Sequence, residues 1–169
     1  IANRLGVFFI MYLADLVPEF GIEAINEVFD RALGYGGKPF STCDLVGLDV
    51  LAHTVEGIRS GTEDEQHRVF TLPACMKKLV DEKRLGRKTD GGIFKREKGP
   101  KGKRDLVVDP ATGAYVPRRG GTPAFLSPLR GKPLPEAVAL MYGGKGAACE
   151  IYRRAVRALA ERAEKENVD

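Results

Sequence analysis

Apolar residues recur three and four positions apart over the first eighty residues of the chain, and this helical spacing constrains the fold more than any other feature. The mostly apolar stretch from Asn3 to Val17 predicts a buried helix, which ends because Pro18 interrupts the hydrogen-bond ladder. Further helices are predicted at about residues 22–33 and 41–61, and a fourth helix begins at Thr71 or Pro73 and ends near residue 85. The predicted fold class is therefore mainly α.

The helix predicted at residues 41–61 follows a tight connection formed by Pro39 and Phe40. Ser41 is its expected N-cap, because a serine hydroxyl accepts a hydrogen bond from the free amides of a first helical turn. Leu45 begins its apolar stripe and is expected on the buried side.

After residue 92 the spacing of the apolar residues changes to the pattern that is typical of β-strands. Residues 93–108 predict a β-hairpin around a turn at Gly99–Gly102, and Ala114–Val116 adds a short third strand. The proline-rich stretch at residues 117–135 predicts a linker or a tail along the surface.

A final helix is predicted at residues 145–166. It should pack on the first domain or on a neighbour through an apolar seam of Ala148, Tyr152, Ala155 and Leu159.

The apolar runs and the cysteines bear on location. The longest unbroken apolar run, Val7–Leu13, is far shorter than the about 20 residues of a bilayer span. No signal peptide is predicted, since only Arg4 is basic before that run and no small-residue cleavage site follows it. Three cysteines, far apart and odd in number, predict reduced thiols in a cytoplasmic protein. The chain begins without methionine, and we interpret it as a piece of a longer protein.

The residues capable of catalysis or metal binding do not form a self-sufficient site. His53 shares a helix face with Asp49 and Glu56, but a metal site needs three or four ligands, and no cysteine or second histidine lies on that face. No metal is therefore expected. His67 lies in an acidic loop, where a surface role is expected. Gly34–Gly37 follows a predicted helix and lacks the spacing of a phosphate-binding loop.

A basic block lies between Lys77 and Arg104. It carries twelve Lys or Arg against four Asp or Glu, within a chain of net charge +4. Such a block attracts nucleic acid, an acidic lipid surface or a phosphorylated ligand. Its hairpin part has only Phe94, at its edge, to stack on bases, so a solvated turn is the simpler interpretation. A non-catalytic polyanion (RNA)-binding module that uses this hairpin is the alternative function.

Four motifs in register resemble a known family. They are Asn3-Arg4, the loop Gly34–Phe40, the Asp-x-x-Gly-Leu-Asp segment Asp44–Asp49 and the Gly-Arg-Lys-Thr turn in Leu85–Thr89. In order and spacing they resemble the C-terminal domain of the L-3-hydroxyacyl-CoA dehydrogenases of fatty-acid β-oxidation. The tail at residues 105–117 is similar to the long bacterial type, which is fused to an enoyl-CoA hydratase-like domain.

The resemblance implies a fold and a division of the chain. The fold is a helical domain like the C-terminal domain of 6-phosphogluconate dehydrogenase, with a small β-hairpin. Residues 1–95 would form the dehydrogenase C-terminal domain, residues 96–142 the basic hairpin and linker, and residues 143–169 the start of a second, truncated helical half. A preceding Rossmann domain would bind NAD and supply the catalytic histidine and glutamate, so no cofactor is expected in this piece.

The resemblance also implies three site residues. Asn3 matches the family asparagine beside the catalytic histidine and the substrate oxygen, and it would support catalysis and bind substrate through its amide. A simpler interpretation of Asn3 is an N-cap. Pro39 and Phe40 match the loop that the acyl chain approaches, and they are expected to bind substrate.

Several positions depart from the family pattern or have a structural interpretation. Lys38 and Asp90 stand where the family has glycine, and Ile93 also departs from the usual pattern, which bears on the geometry of the two loops. Asp44 and Asp49 are interpreted as capping and helix-fixing residues, not as acids in the reaction.

The expected function is that of a substrate-binding and dimerisation domain of an NAD-dependent L-3-hydroxyacyl-CoA dehydrogenase, inactive without its Rossmann domain. Its expected partners are an acyl-CoA substrate and a second helical unit, in a homodimer or within one longer chain. Neither nucleic acid nor a membrane span is expected. A helical domain of a β-hydroxyacid or 6-phosphogluconate dehydrogenase is a further alternative, and the Gly-Leu-Asp segment at residues 47–49 argues against it.

Overall fold

The computed structural model describes residues 2–29, 34, 37–61, 68–99, 102–120 and 123–166. The chain divides into two compact units, one formed by residues 1–39 with 121–169 and the other by residues 40–120. The described elements, in chain order, are α1 (Ala2–Asp15), α2 (Val17–Phe20), α3 (Ile22–Val28), α4 (Pro39–Val46), α5 (Leu48–Gly61), α6 (Ala74–Asp81), β1 (Phe94–Gly99), β2 (Gly102–Val108), β3 (Tyr115–Pro117), a 3-10 helix (Ala124–Leu129), α7 (Leu134–Gly143) and α8 (Ala147–Lys165). The predicted mainly helical fold with a small hairpin is confirmed.

The core of the first unit is built around α8. This helix packs against α1, α3 and α7. At the centre, the Phe29 ring meets Phe9 edge-on at 5.1 Å between centroids and stacks on Tyr152 at 6.2 Å. Such pairs stabilise a core beyond the apolar area that they bury. Tyr152 and Ala155 of the predicted seam are buried, so α8 packs on the first helices of the chain, which is one of the two expected outcomes.

Two segments of the first unit differ from prediction. The helix of the first apolar stretch ends at Asp15, and Pro18 lies in the first turn of α2, where its missing N–H costs nothing.

The proline-rich stretch is only partly a linker. It forms the 3-10 helix, whose Leu126 and Leu129 are buried, and it leads into α7, which the sequence did not predict. Pro123 and Pro133 precede these two helices as N-cap residues. The predicted extension of α3 to residue 33 lies outside the described residues beyond Phe29.

The helix predicted at residues 41–61 is two helices in the second unit. Gly47 separates α4 from α5, because its φ of +110° is not helical. A residue with a side chain rarely adopts that conformation. The break carries Leu45 off the buried stripe, so that it is 62% exposed instead of buried. Pro39 and Phe40 begin α4 and do not form a connection, which places Ser41 inside the helix and not at its N-cap.

The sheet of the second unit is antiparallel throughout, in the order β1-β2-β3. The predicted hairpin is confirmed, with Phe94 opposite Val107 and Arg96 opposite Asp105. The predicted third strand is confirmed within one residue at Tyr115–Pro117. The residues of the hairpin turn itself, 100 and 101, lie outside the described part of the chain.

Candidate functional site

Asn3 lies in the first turn of α1. Since α1 already includes Ala2, Asn3 is a helical residue and not the N-cap. Its side chain lies outside the described residues. The next residue ties the start of α1 to the end of α8, because Arg4 Nη2 lies 3.2 Å from Glu166 Oε1. Arg162 pairs with the same carboxylate. A partly buried ionic contact therefore joins the turn that contains Asn3 to the end of α8.

The other two predicted site residues lie at the start of α4. Pro39 and Phe40 are both buried, Phe40 completely. Lys38, which replaces a family glycine, forms an ion pair with Glu27. These contacts place the loop residue Lys38 and the helix residue Glu27 together in the first unit. Substrate contact by Pro39 and Phe40 stays a prediction.

Asp44 joins α4 to the first strand of the sheet. Its Oδ1 accepts the backbone N–H of Ile93 at 2.8 Å, and its Oδ2 accepts that of Phe94 at 2.7 Å. The carboxylate is 4% exposed. Burial raises the pKa of Asp44, while the two N–H donors and the charge of Arg87 act in the opposite direction. Asp44 therefore aligns the start of β1, a role that the sequence analysis described only as capping and helix fixing.

Two glycines make room for Asp44, one beside its backbone and one beside its carboxylate. A Cβ on Gly86 would lie 2.2 Å from the Asp44 carbonyl oxygen, and a Cβ on Gly92 would lie 2.2 Å from Asp44 Oδ1. Thr89 closes the intervening turn, since its Oγ1 accepts the N–H of Leu85 at 2.8 Å. The motif Leu85–Thr89 is thus a compact turn whose glycine allows close backbone approach.

Tyr115 closes the other side of this turn from β3. Its hydroxyl donates to the Gly92 carbonyl at 2.8 Å. The guanidinium of Arg84 lies 4.9 Å from the Tyr115 ring centre and donates to the Gly113 carbonyl at 2.8 Å. Burial raises the pKa of Tyr115, with the Arg84 charge acting against it. The contact between Tyr115 and Arg84 was not predicted, because only β-strand pairing brings β3 beside residues 91 and 92.

A cleft of about 380 Å³ opens on the second unit beside Asp44. Its lining includes four cationic and two acidic side chains, together with Ser41, Phe94 and Leu106. The charged residues are Asp44, Arg87, Lys95, Arg96, Asp105 and Arg118. This cleft was not predicted, since it draws on α4, the 86–91 turn and all three strands or their flanks.

Part of the positive charge of the basic hairpin is neutralised by nearby acids. Arg96 holds both carboxylate oxygens of Asp105 across the strands, and this contact lowers the pKa of Asp105. Arg104 pairs across the strands with one carboxylate oxygen of Glu97, and Lys95 pairs with Asp90 in the preceding turn. These pairs reduce the positive field that an RNA-binding hairpin needs. The geometry therefore does not favour the polyanion-binding alternative.

The described residues bear on metals, thiols and membranes. Among them, no three His, Cys, Asp or Glu side chains come together as a metal site. His53 is exposed, and His67 lies outside the described residues. All three cysteines are free thiols; Cys43 and Cys149 are buried, and Cys75 is partly exposed. No helix in the described ranges combines the length and apolar character that crossing a bilayer requires.

The described residues do not fit a nicotinamide dinucleotide. Such a cofactor binds where parallel strands meet a glycine-rich turn that leads into a helix. The sheet here is antiparallel, and the part of the chain that the structure describes contains no strand–helix–strand crossover. No step through NAD is assigned to these residues.

A family model matches the greater part of the chain. Residues 1–96 match the model of the 3-hydroxyacyl-CoA dehydrogenase C-terminal domain. The match runs from α1 into β1 and includes Asp44 and the 85–89 turn. It ends before most of the hairpin, the proline-rich stretch and α8.

Curated relatives agree with the family match. A probable 3-hydroxyacyl-CoA dehydrogenase of Bacillus subtilis is 29% identical over 122 residues, which is 70% of this chain and 15% of that protein. A mitochondrial hydroxyacyl-coenzyme A dehydrogenase of Sus scrofa is 35% identical over 56% of this chain and 30% of that protein. A putative fatty acid oxidation complex trifunctional enzyme of Rickettsia prowazekii is 28% identical over 56% of this chain and 14% of that protein. The chain thus aligns with no more than 30% of the length of each of these three relatives.

Proposed function

The chain belongs to the 3-hydroxyacyl-CoA dehydrogenase C-terminal domain family, and on that basis we propose that it is the substrate-binding and dimerisation part of an NAD-dependent L-3-hydroxyacyl-CoA dehydrogenase of fatty-acid β-oxidation. The observation that carries the proposal is the match over residues 1–96. The intact enzyme would oxidise an L-3-hydroxyacyl-CoA to the 3-oxoacyl-CoA. A nucleotide-binding domain elsewhere in a longer protein would hold NAD.

The proposal assigns Asn3 a supporting role at the reacting oxygen. In the first turn of α1, its amide would donate a hydrogen bond to the substrate oxygen or orient the imidazole of the catalytic histidine. The Arg4–Glu166 contact supports this role, because it fixes the turn that carries Asn3. Pro39 and Phe40 would line the approach of the acyl chain.

Location and further domains are also part of the proposal. The pig relative is named as mitochondrial and the Rickettsia relative as trifunctional. For this chain we propose a cytoplasmic enzyme of the long bacterial type, with an enoyl-CoA hydratase-like domain in the same polypeptide. Residues 1–95, 96–142 and 143–169 would be the dehydrogenase C-terminal domain, the hairpin with its linker, and the start of a second helical half.

The first test asks whether the chain is inactive alone. With acetoacetyl-CoA and NADH, the 169-residue chain should oxidise NADH no faster than a protein-free blank, because the described residues do not fit the cofactor. Turnover above the blank would contradict the proposal that NAD is bound by another domain.

The coding region ahead of residue 1 should encode a nucleotide-binding βαβ unit, and its absence there would remove the dehydrogenase assignment.

The second test addresses Asn3 in the full-length enzyme. Asn3→Ala should lower kcat roughly 100-fold, the usual cost of losing one donor to a developing oxyanion, with a smaller change in KM. Ser60→Ala is the control, since Ser60 is exposed near the end of α5 and its hydroxyl donates to the Glu56 carbonyl. A kcat unchanged by Asn3→Ala would show that Asn3 has only a structural role.

A further inference from the structure

The end of α8 holds the first turn of α1, which contains Asn3. Arg4 follows Asn3 in the chain, and Arg4 Nη2 lies 3.2 Å from Glu166 Oε1. Arg162, one helical turn before Glu166, pairs with the same carboxylate. We propose that Glu166 and Arg162 are positioning residues for the proposed reaction, which hold Asn3 in place through Arg4. The inference rests on the proposed function, and it extends the site to α8, which lies beyond the residues that match the family model.

Contacts along α8 bring its last turn to the start of α1. The Arg162 guanidinium lies 5.4 Å from the centre of the Phe8 ring, in the second turn of α1. Nearer the start of α8, Arg154 donates to Glu19 of α2 at 2.7 Å. The two long helices therefore run antiparallel, and Glu166 meets the first turn of α1 because of how the whole of α8 packs.

The carboxylate of Glu166 is shared by two cations in a largely buried position. The Glu166 side chain is 10% exposed, that of Arg162 3% and that of Arg4 30%. Ion pairs with so little surrounding water are weakly screened, so they restrain the first turn of α1 strongly. Without the negative charge of Glu166, the guanidinium groups of Arg4 and Arg162 would repel each other, and Arg4 would move away from α8.

A displacement of Arg4 is also a displacement of Asn3. Consecutive Cα atoms are about 3.8 Å apart and are joined by a planar peptide unit, so the two residues move together. In the proposed reaction, the Asn3 amide has to lie within hydrogen-bond distance of the substrate oxygen or of the catalytic imidazole. A misplacement of about 1 Å can lower a rate about 100-fold. The contact with α8 is therefore expected to act on kcat and much less on KM.

The first measurement follows the start of α1 in the full-length enzyme by hydrogen–deuterium exchange and mass spectrometry. Glu166→Gln should make the peptide that covers residues 2–8 exchange at least about tenfold faster, because the turn loses its contact with α8. Glu164→Gln is the matched control, since it makes the same change at an exposed position of the same helix and should leave the exchange unchanged. Exchange that Glu166→Gln does not alter would overturn the positioning role.

The second measurement is kinetic, with kcat expressed per folded enzyme. Glu166→Gln should lower kcat about tenfold and change KM less than about twofold, whereas Glu164→Gln should change neither. In an enzyme that already carries Asn3→Ala, Glu166→Gln should lower kcat by less than about twofold, because no amide is left to position. Arg4→Gln breaks the same contact from α1 and should reproduce the loss, which provides a second variant if Glu166→Gln does not fold.

The outcomes separate this inference from the proposed function. If Asn3→Ala lowers kcat but Glu166→Gln and Arg4→Gln do not, the positioning role alone is overturned. The same holds if Glu166→Gln lowers kcat equally with and without Asn3, because this would indicate a general structural effect. If Asn3→Ala leaves kcat unchanged, the proposed role of Asn3 is wrong, and the positioning role is wrong with it.

Discussion

Asp44 joins two distant parts of the second unit. It connects α4 to residues that follow it by 49 and 50 positions, through two hydrogen bonds to one buried carboxylate. Substitution by asparagine keeps the shape but replaces one acceptor with a donor that faces a backbone N–H. One buried N–H is then left without a partner.

We expect Asp44→Asn to lower the free energy of unfolding by about 2–3 kcal/mol, the cost of stranding a buried donor. Urea unfolding followed by circular dichroism measures this. Asp49→Asn is the control, because Asp49 forms a half-exposed ion pair with Lys88, and this substitution should change the midpoint much less. Equal midpoints for Asp44→Asn and the unsubstituted chain would show that the two hydrogen bonds do not stabilise the fold.

Cys43 provides a second residue-scale prediction, this time of reactivity. Burial, with the nearby Asp44 charge, raises the pKa of the Cys43 thiol to about 12. Burial also raises the pKa of Cys75, whose side chain is only partly buried. Alkylation requires an accessible thiolate, which is scarce for Cys43 at any pH well below 12.

At pH 8 iodoacetamide should therefore modify Cys75 of the native protein before Cys43. Peptide mass spectrometry at timed intervals measures the order. In urea both thiols should react at similar rates, which serves as the control. Rapid modification of native Cys43 would mean that the start of α4 opens far more often than its burial indicates.

At the scale of elements, α8 holds the first unit together. Its C-terminal turn carries Arg162, which is 3% exposed and lies 5.4 Å from the Phe8 ring centre on α1. Arg162 and Arg4 share the carboxylate of Glu166. The start of α1 and the end of α8 are therefore joined by an ionic network around the buried Arg162 and not by apolar contact alone.

Arg162→Ala should destabilise the chain by about 3 kcal/mol, the lower end of the cost of breaking a buried ion pair, because Glu166 keeps Arg4 as a partner. Urea unfolding measures the loss. Arg157→Ala is the matched control, since it removes an exposed arginine from the same helix. Similar losses for the two variants would indicate that helix propensity, and not the network, is responsible.

At the scale of the whole molecule, each unit leaves large apolar side chains in water. Leu45, Val46 and Val50 are exposed within six residues of the second unit, and Leu134, Leu140 and Tyr142 are exposed on α7 of the first. A second helical unit that covers such residues would remove them from solvent. These side chains support the proposed self-association, either as a homodimer or with a helical half of a longer chain.

We expect sedimentation to show dimers of the 169-residue chain at about 100 μM, within the range of weak protein complexes. Leu45→Ser should weaken the dimer at least tenfold, because covering a leucine side chain contributes about 1.5–3 kcal/mol. Thr42→Ser, also exposed on α4, is the control. A monomer at all concentrations would contradict self-association of this piece.

Most of the helices and the hairpin follow from local sequence. Apolar spacing identified α1, α6 and α8 to within a few residues and the start of α3, but it joined α4 and α5 into one helix; the change to strand period identified β1 and β2. Local sequence predicted the bounds of the helices less well where a single residue changes the direction of the chain. Gly47 divides a continuous apolar pattern, and the prolines at 123 and 133 precede helices in a stretch that composition assigns to a linker.

The order of family motifs was enough to identify the family, because those motifs are local in the chain. The Asp44 hydrogen bonds and the Tyr115–Arg84 contact were decided only by tertiary structure, as was the cleft beside Asp44. Each joins residues tens of positions apart. Periodicity indicates which face of an element is buried, but it carries no information about which distant backbone amide or ring will meet that face. Only the folded backbone brings those groups within hydrogen-bond distance.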